Sequence, residues 1–322
     1  MTLGHVLSAF WGGAFGSPYA FFSATLLRAT PLLLLGLAVT LSFRAGLLNI
    51  GGEGQFLVGA GAATAIALEG SSFPRAVVVV AMLLAGAIAG GTWAGIAAEL
   101  RRRLGVLEVI STLLLNFVAL YLIAWSVRGP FQEPTHTYPQ TATFAPAARW
   151  PMLLPGQRLH AGFLLALLLA GLLWWILAYT APGFRVRVVG AGRRAAASAG
   201  LIDVERTIYS VFLASGALAG VAGAAEVGGV TWALYDGISP GYGYTAIAVA
   251  LLARLNARWV IPSAVFFGAL EAGAAGMQRD AGVPSVLGGI IVAVLVLSVL
   301  ATGARGGELF IASARSLAGE RR

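Results

Sequence analysis

One short segment of the chain, RAGLLNIGGEGQ, places charged and amide side chains between two apolar runs. Its polar members are one cation, one carboxylate and two amides: Arg44, Glu53, Asn49 and Gln55. Polar and ionisable groups at membrane depth are costly unless they face protein or water, so they are candidates for function. Such a set suits a ligand site, and a membrane-embedded carboxylate such as Glu53 also suits proton transfer.

The glycines of this segment predict a break in a helix. They are Gly46, Gly51, Gly52 and Gly54. Each costs roughly 1 kcal/mol relative to alanine in a helix interior. A helix that starts at Gly51 or Gly52 would be about 27 Å long, close to the roughly 30 Å of a bilayer core. We therefore predict a broken helix near residues 49–54, with Asn49 as the cap of its second half. The structural alternative is that the glycines allow close packing and that Glu53 pairs with Arg44 or Arg28.

The composition indicates an integral membrane protein. Of the 322 residues, 58% are hydrophobic and 11% are charged, and the mean hydropathy is +0.85. A soluble domain of this size needs more surface charge, and long apolar runs favour helices over barrel strands. The sequence has no cysteine and no lysine, which excludes disulfides, thiolate metal sites and a P-loop lysine. If ATP drives this protein, another chain hydrolyses it.

Apolar segments predict an all-α polytopic membrane protein with about nine transmembrane helices in a single domain, residues 1–322. The segments are 26–48, 51–68, 76–99, 106–127, 162–179, 208–227, 242–253, 260–277 and 286–301. With loop 185–206 in the cytoplasm, 14 of the 21 arginines lie inside and five outside, as the positive-inside rule requires. The C-terminus is then cytoplasmic, and the net charge of +8 needs no nucleic-acid partner.

Two polar connections are long enough for separate roles. Loop 128–160 is proline-rich and extracytoplasmic, and it suits a lid or a docking surface. Its histidines, His136 and His160, are predicted to lie on the surface without a metal. Loop 184–206 has an alanine-rich middle that predicts a short helix ending at Gly200. That helix suits docking into a groove of a soluble partner, and an ordinary interfacial loop is the alternative.

Further candidates come from the fourth predicted span and from an aromatic group. Glu108 and Asn116 are eight residues apart and share a helix face. Glu108 is predicted to pair with Arg101–Arg103, whereas Asn116 either bonds a neighbouring helix or lines the pathway. The bunched aromatic residues are Trp232, Tyr235, Tyr242 and Tyr244. They form either an interface belt or a stacking surface for a ring such as a nucleobase, with hydrogen bonds from Asp236 and Gln278.

Several stretches resemble one transporter family. GLLNIGGEGQFLVGA resembles the signature of the permease subunits of nucleoside-type ABC importers, within the wider group of permeases for simple sugars and branched-chain amino acids. EVISTLLLN, VVGAGRRAAASAGL and GYGYTAIAVALL are also similar to family stretches. The chain departs from the family pattern at Leu107, Gly192 and Ala246. The resemblance covers most of residues 13–302 and implies either a shortened first helix or a late start site.

The residue patterns and the resemblance together give two groups of candidate residues. The substrate-binding candidates are Asn49, Glu53, Gln55, Asn116, Trp232, Tyr235, Asp236 and Gln278. The candidates for coupling to an ATPase are Gly190, Arg193, Ala195, Ala196, Ala199 and Gly200. No residue is assigned to catalysis or to a metal.

The resemblance also implies the partners. The chain would form half of a pathway for nucleosides or related ribosides in a bacterial inner membrane. Its partners would be cytoplasmic ABC ATPases that bind the ATP, a second permease subunit, an extracytoplasmic substrate-binding protein and membrane lipid. Three alternatives are a permease for simple sugars or branched-chain amino acids, a self-sufficient proton-coupled carrier that uses Glu53, and an intramembrane enzyme. The enzyme lacks a nucleophile–base pair in this sequence.

Overall fold

A computed structural model describes residues 2–198, 200, 202–284 and a few positions up to 298. The helices are α1 (Leu3–Ala14), α2 (Pro18–Arg44), α3 (Gly52–Glu69), α4 (Arg75–Leu104), α5 (Glu108–Arg128), α6 (Gly162–Tyr179), α7 (Ala181–Ala191), α8 (Arg193–Ser198), α9 (Val204–Thr231), α10 (Tyr242–Leu252) and α11 (Ala257–Ala281). The described chain is all-helical, with two isolated β-bridges and no strand. The predicted segment 286–301 falls largely outside the described residues.

Six of these helices are long and apolar enough to cross a membrane: α2, α4, α5, α6, α9 and α11. α3 has 18 residues but carries Glu53, Gln55 and Glu69, and the apolar α10 has only 11 residues. An 11-residue helix is about 16 Å long, roughly half of a bilayer core. Within the described residues, six candidate spans and two further helices thus correspond to eight of the predicted segments.

α2 lies at the centre of the bundle. Its leucine run, residues 32–35, is fully buried, and nearly the whole helix is covered by α9, α10 and α11. α4, α5 and α6 instead expose most of one side, where large apolar side chains such as Leu168 and Tyr121 point outward. Helices in lipid need not hide apolar surface from water, so these outward faces suit contact with lipid.

Glycines allow α3, α4 and α9 to pack with their backbones in contact. A Cβ on Gly220 of α9 would lie 1.9 Å from the carbonyl oxygen of Gly86 in α4. A Cβ on Gly59 of α3 would lie 2.4 Å from the Cα of Gly220. Any larger residue at these positions would force the helices apart, because the neighbouring atoms belong to the backbone. This three-helix contact holds α3 and α4 directly against α9.

The predicted helix break is confirmed. α2 ends at Arg44, Gly46 adopts a left-handed backbone with φ of 68°, and α3 begins at Gly52. The Arg44 Nε donates to the carbonyl oxygen of Leu255, 2.8 Å away, just after α10. The break therefore lies between the end of α2 and the start of α3, and it is bonded to the chain just after α10.

The proline-rich loop folds as a cap over the end of α9. Backbone N–H groups of Thr141, Phe144 and Trp150 donate to the carbonyls of Leu234, Trp232 and Gly228 at 2.7–2.9 Å. The cap also corrects a prediction. His136 is exposed, but His160 is fully buried, with its ring edge-on to Trp150 at 5.7 Å between centroids. Its Nδ1 accepts the N–H of Gly162. Sequence alone gave no sign that the loop would build an interior of its own.

The second long loop forms two short helices. α7 packs so closely against the end of α2 that a Cβ on Gly190 would lie 1.9 Å from the carbonyl oxygen of Arg44. α8 covers the alanine-rich stretch that predicted a helix, with Ala196 buried and Ala195 exposed. Gly200 follows with φ of 67°, and Ala199 lies outside the described residues.

Candidate functional site

A network of amides and hydroxyls holds the helix break. The side-chain amides of Asn49 and Gln55 exchange two hydrogen bonds, at 3.0 and 3.2 Å. The Asn49 Nδ2 also donates to the Oγ of Ser215 in α9, and that hydroxyl donates to the carbonyl of Ala38 in α2. Asn49 and Gln55 are almost fully buried. The break is therefore tied to both long central helices.

The cap of α3 differs from the predicted one. Gly51, not Asn49, occupies the N-cap position, and Asn49 Oδ1 accepts the N–H of Gly51 at 2.9 Å. The capping bond to Gly54 comes from another helix: Asn116 Oδ1 of α5 accepts that N–H at 2.8 Å. With two successive glycines at the start of α3, the local chain offers no capping side chain, so a distant amide takes that role.

Asn116 joins three elements at one point. Besides capping Gly54, its Nδ2 donates to the carbonyl of Ile50 at 3.0 Å and to the hydroxyl of Tyr244 in α10 at 3.3 Å. The neighbouring Thr112 accepts the N–H of Ile50. Of the two roles predicted for Asn116, the structure shows the bond to neighbouring segments.

Glu53 lies where the N-termini of α3 and α10 meet. Its Oε2 accepts the N–H of Gly243 at 2.7 Å, and the hydroxyl of Ser239 also lies close to the carboxyl group. A Cβ on Gly243 would lie 2.3 Å from the backbone nitrogen of Glu53, so the two helix starts touch. Helix N-termini favour a negative group, which accounts for a carboxylate at this place. Within the described part of the chain, Glu53 makes no ion pair with Arg44 or Arg28, so that alternative is wrong.

Three predicted residues lie apart from this cluster, under the cap. Trp232 has a left-handed backbone with φ of 53°, and its ring is covered by the guanidinium of Arg149 at 4.8 Å. Asp236 forms an ion pair with Arg128, 2.5 Å between Oδ2 and Nη2, and Tyr235 pairs with the cap through a β-bridge. Gln278 is exposed near the end of α11. The structure thus brings together Asn49, Glu53, Gln55 and Asn116, and leaves the other four elsewhere.

Two of the predicted coupling residues, Gly190 and Arg193, contact the segment between α2 and α3. Arg193 Nη2 donates to the carbonyl of Gly46 at 2.6 Å and reaches Glu108 Oε1 at 3.4 Å. Glu108 also pairs with Arg101, as predicted, at 3.3 Å. Arg101 in turn lies 3.6 Å from Glu205 at the start of α9. This ion network links α8 to α4, α5, α9 and the α2–α3 segment.

Sequence reasoning missed several members of the cluster. Ser215 looked only like a small packing residue, Gly243 only like part of a family pattern, and Thr112 was not selected. Their partners lie between 62 and 190 positions away along the chain. The available signal for Ser215 and Thr112 was a hydroxyl in the middle of an apolar span.

A broken helix with a buried polar cluster, surrounded by helices with apolar outer faces, is typical of a transport protein. Comparison with known proteins identifies the family of transporters. Residues 21–307 match the family described as the branched-chain amino acid transport system / permease component. The chain belongs to this permease family. It is accordingly a multi-pass permease component of an ABC transporter.

Individual relatives cover most of the chain. The glucose ABC transporter permease protein TsgB13 of Haloferax volcanii is 41% identical over 85% of this chain and 74% of its own length. The guanosine ABC transporter permease protein NupP of Bacillus subtilis is 38% identical over 91% of this chain and 84% of its own. The nucleoside ABC transporter permease protein NupB of Lactococcus lactis is 28% identical over 85% and 78%, respectively.

Proposed function

We propose that this chain forms half of the translocation pathway of an ABC importer for nucleosides or related ribosides. The observation that carries the proposal is the buried cluster of Asn49, Glu53, Gln55 and Asn116 at a helix break, in a chain similar over 91% of its length to a permease named for guanosine. Discontinuous helices with opposed N-termini are where many transporters bind substrate. The amides Asn49 and Gln55 bond to each other, so they shape the site, and Glu53 and Tyr244 face the pathway.

A second candidate substrate is glucose. The 41% identical relative carries that name, so the same fold and break are compatible with a free sugar. Both candidates are neutral polyols that need hydrogen-bonding groups and no charge compensation. Uptake measurements decide between them.

The proposal includes an arrangement in the membrane. The nine predicted spans are then the six candidate spans, α3, the shorter α10 and the predicted segment 286–301. We place α7 and α8 in the cytoplasm, where partner ATPases bind the ATP and push on Arg193, and the 129–160 cap faces a substrate-binding protein outside. The chain needs no cofactor of its own, lies in the bacterial inner membrane with its C-terminus in the cytoplasm, and pairs with a second permease or another copy of itself.

The test is uptake of radiolabelled inosine and glucose by cells that express the chain with and without its neighbouring permease, ATPase and binding-protein genes. Inosine uptake that requires the partner genes supports the proposal. Glucose uptake without inosine uptake moves the substrate to sugars. Inosine uptake by the chain alone, abolished by a protonophore and by Glu53→Gln, contradicts the proposal in favour of a proton-coupled carrier.

A further inference from the structure

An apolar groove runs between α6 and α9 on the outside of the bundle. Both helices pack against α2 but hardly against each other, so a gap remains with α2 at its bottom. The groove reaches Leu41 of α2, its α6 wall is rich in leucine, and its α9 wall includes the small residues Ala214 and Ala217. It encloses about 420 Å³. The groove is therefore a concave apolar space that extends from the outer surface to the central helix.

A polar pocket adjoins one end of this groove. Three residues line both spaces: Pro182 and Val186 of α7 and Ser210 of α9. The other residues that line the pocket are Arg185, Asp203, Arg206 and Thr207. An apolar space that continues into a charged pocket matches the two chemically different parts of a membrane lipid.

The pocket carries an excess of positive charge. Its lining includes one carboxylate, Asp203, whose Oδ1 accepts the N–H of Arg206 at 2.9 Å as the N-cap of α9. Arg185 and Arg206 are exposed, and in the described part of the chain their guanidinium groups form no ion pair. The nearby Arg102, by contrast, pairs with Glu99 in its own helix. Two arginines beside one aspartate favour an anionic group in the pocket.

Close packing holds α7, and with it Arg185, at the mouth of the groove. A Cβ on Gly183 would lie 2.0 Å from the carbonyl oxygen of Ile176 in the last turn of α6. Towards the other end of α7, Gly190 packs equally closely against Arg44. The pocket is therefore formed before any ligand binds, which lowers the entropic cost of binding.

We propose that the groove and the pocket together bind one phospholipid with an anionic headgroup. Its phosphate lies between Arg185 and Arg206, and one acyl chain lies between α6 and α9. The site is separate from the substrate cluster, and only its membrane side depends on the proposed function, which places α7 in the cytoplasm. There, the anionic lipids of the inner leaflet are attracted to basic pockets between transmembrane helices.

The two parts of the site favour a lipid over a soluble anion. Arginine donates paired N–H groups to phosphate oxygens, so the pocket alone would suit any phosphate. A soluble anion would leave the apolar groove without an occupant, whereas an acyl chain gains contact with the walls of the groove. The continuity of the two spaces through Pro182, Val186 and Ser210 thus favours a ligand that has both parts.

The test is photo-crosslinking of the complete transporter complex in nanodiscs of phosphatidylcholine. The probe is a small fraction of phosphatidylglycerol with a diazirine in one acyl chain, and the modified residues are identified by mass spectrometry. We expect crosslinks in the groove, at residues such as Leu173 and Ala214. A phosphatidylcholine probe with the same diazirine should give about fivefold fewer, because its ammonium group offsets the charge of the phosphate.

Variants test the two ends of the site separately. Arg185→Gln and Arg206→Gln should each lower the groove crosslinks of phosphatidylglycerol severalfold, towards the level of the phosphatidylcholine probe. Arg194→Gln, at an exposed position that lines neither space, should leave them unchanged. Ala214→Phe fills the groove and should lower the crosslinks of both probes. Ala178→Phe, at an exposed position of α6 outside the groove, is its matched control.

Equal crosslinking by the two probes, or unchanged crosslinking in both arginine variants, overturns the anionic site. An absence of groove crosslinks overturns the lipid as the occupant. Because the sequence has no cysteine, crosslinking through Ala214→Cys then shows whether the second permease or segment 286–301 covers the groove. These outcomes do not depend on inosine uptake, so a failure of the lipid site and a failure of the proposed function are distinguished.

Discussion

At the scale of single residues, the buried polar side chains act through bonds that cross from one helix to another. Asn116 satisfies the Gly54 N–H and the Ile50 carbonyl, which belong to a segment more than 60 positions away. Ser215 does the same between Asn49 and Ala38. In a membrane, where no water is available to replace a lost partner, such bonds determine whether an irregular backbone segment is tolerated.

Replacing Asn116 with alanine tests this role. Asn116→Ala leaves the N–H of Gly54 and the carbonyl of Ile50 without their partners, so we expect a loss of roughly 2 kcal/mol in stability. The measurement is thermal unfolding in nanodiscs, together with substrate uptake, which should fall as well. Ser126→Ala on the same helix is the control, because the Ser126 hydroxyl donates within its own helix, to the carbonyl of Leu122. Equal effects of the two changes would contradict the role of Asn116 as a helix cap supplied by another helix.

His160 predicts a specific dependence of stability on pH. Burial lowers the pKa of His160 from 6.5 to about 4, and its unprotonated Nδ1 accepts the Gly162 N–H. The folded protein thus favours neutral histidine, so the stabilisation is complete above pH 6.5 and is lost as the pH falls towards 4. The loss amounts to about 3 kcal/mol at the acid end.

The measurement is the unfolding temperature at pH 7 and at pH 4.5 for wild type and His160→Asn. The variant should lose this part of the pH dependence, whereas His136→Asn, at an exposed position, should retain it. An identical pH dependence in wild type and His160→Asn would show that the buried imidazole does not contribute.

At the scale of secondary structure, the sequence predicted where helices begin and end better than it predicted which residues they contact. Glycine content and helix length predicted the break and the start of α3, because both depend on local backbone properties. The N-cap of α3 was predicted wrongly, since Gly51 takes the N-cap position and Asn116 of α5 accepts the N–H of Gly54. The burial of His160 was also missed, because it depends on how the cap folds back onto α9. Long-range contacts of this kind leave no periodic pattern in the chain.

The glycine contact between α4 and α9 gives a prediction for the elements. Gly220→Ala would place a methyl group 1.9 Å from the Gly86 carbonyl oxygen, so the helices must separate and the protein should lose stability or fail to fold. Gly171→Ala in α6 is the matched control, because no atom lies within 4 Å of the added carbon. Gly171→Ala should be neutral or stabilise the protein by up to about 1 kcal/mol, through helix propensity. Thermal unfolding of both variants in nanodiscs checks the contrast.

At the scale of the whole molecule, the ion network beneath the break provides a physical path from α8 to the polar cluster. Arg193 contacts Gly46, three residues before Asn49, and it shares Glu108 with Arg101. A displacement of α8 would therefore move the segment that joins α2 to α3. The close packing of Gly190 against Arg44 would transmit such a displacement too, because there is no free space between α7 and the end of α2.

Arg193→Gln tests the path. It removes the charge and shortens the reach to Gly46 and Glu108, so we expect ATPase subunits still to assemble with the chain but uptake per ATP hydrolysed to fall several-fold. The measurement compares ATP hydrolysis with uptake in proteoliposomes. Arg194→Gln is the control, since the neighbouring Arg194 is exposed. Unchanged coupling in Arg193→Gln would remove this contact from the path.

The meeting of two helix starts at Glu53 has a consequence for which molecules the pathway rejects. Opposed helix N-termini are a natural cradle for phosphate, because both direct partial positive charge and free N–H groups to one point. Here the protein fills that cradle with its own carboxylate, bonded to Gly243. A nucleotide would bring its phosphate against a resident negative charge, whereas an uncharged nucleoside or sugar would not. We therefore expect the transporter to take up a nucleoside and to reject its monophosphate, because Glu53 already occupies the point where a phosphate would bind.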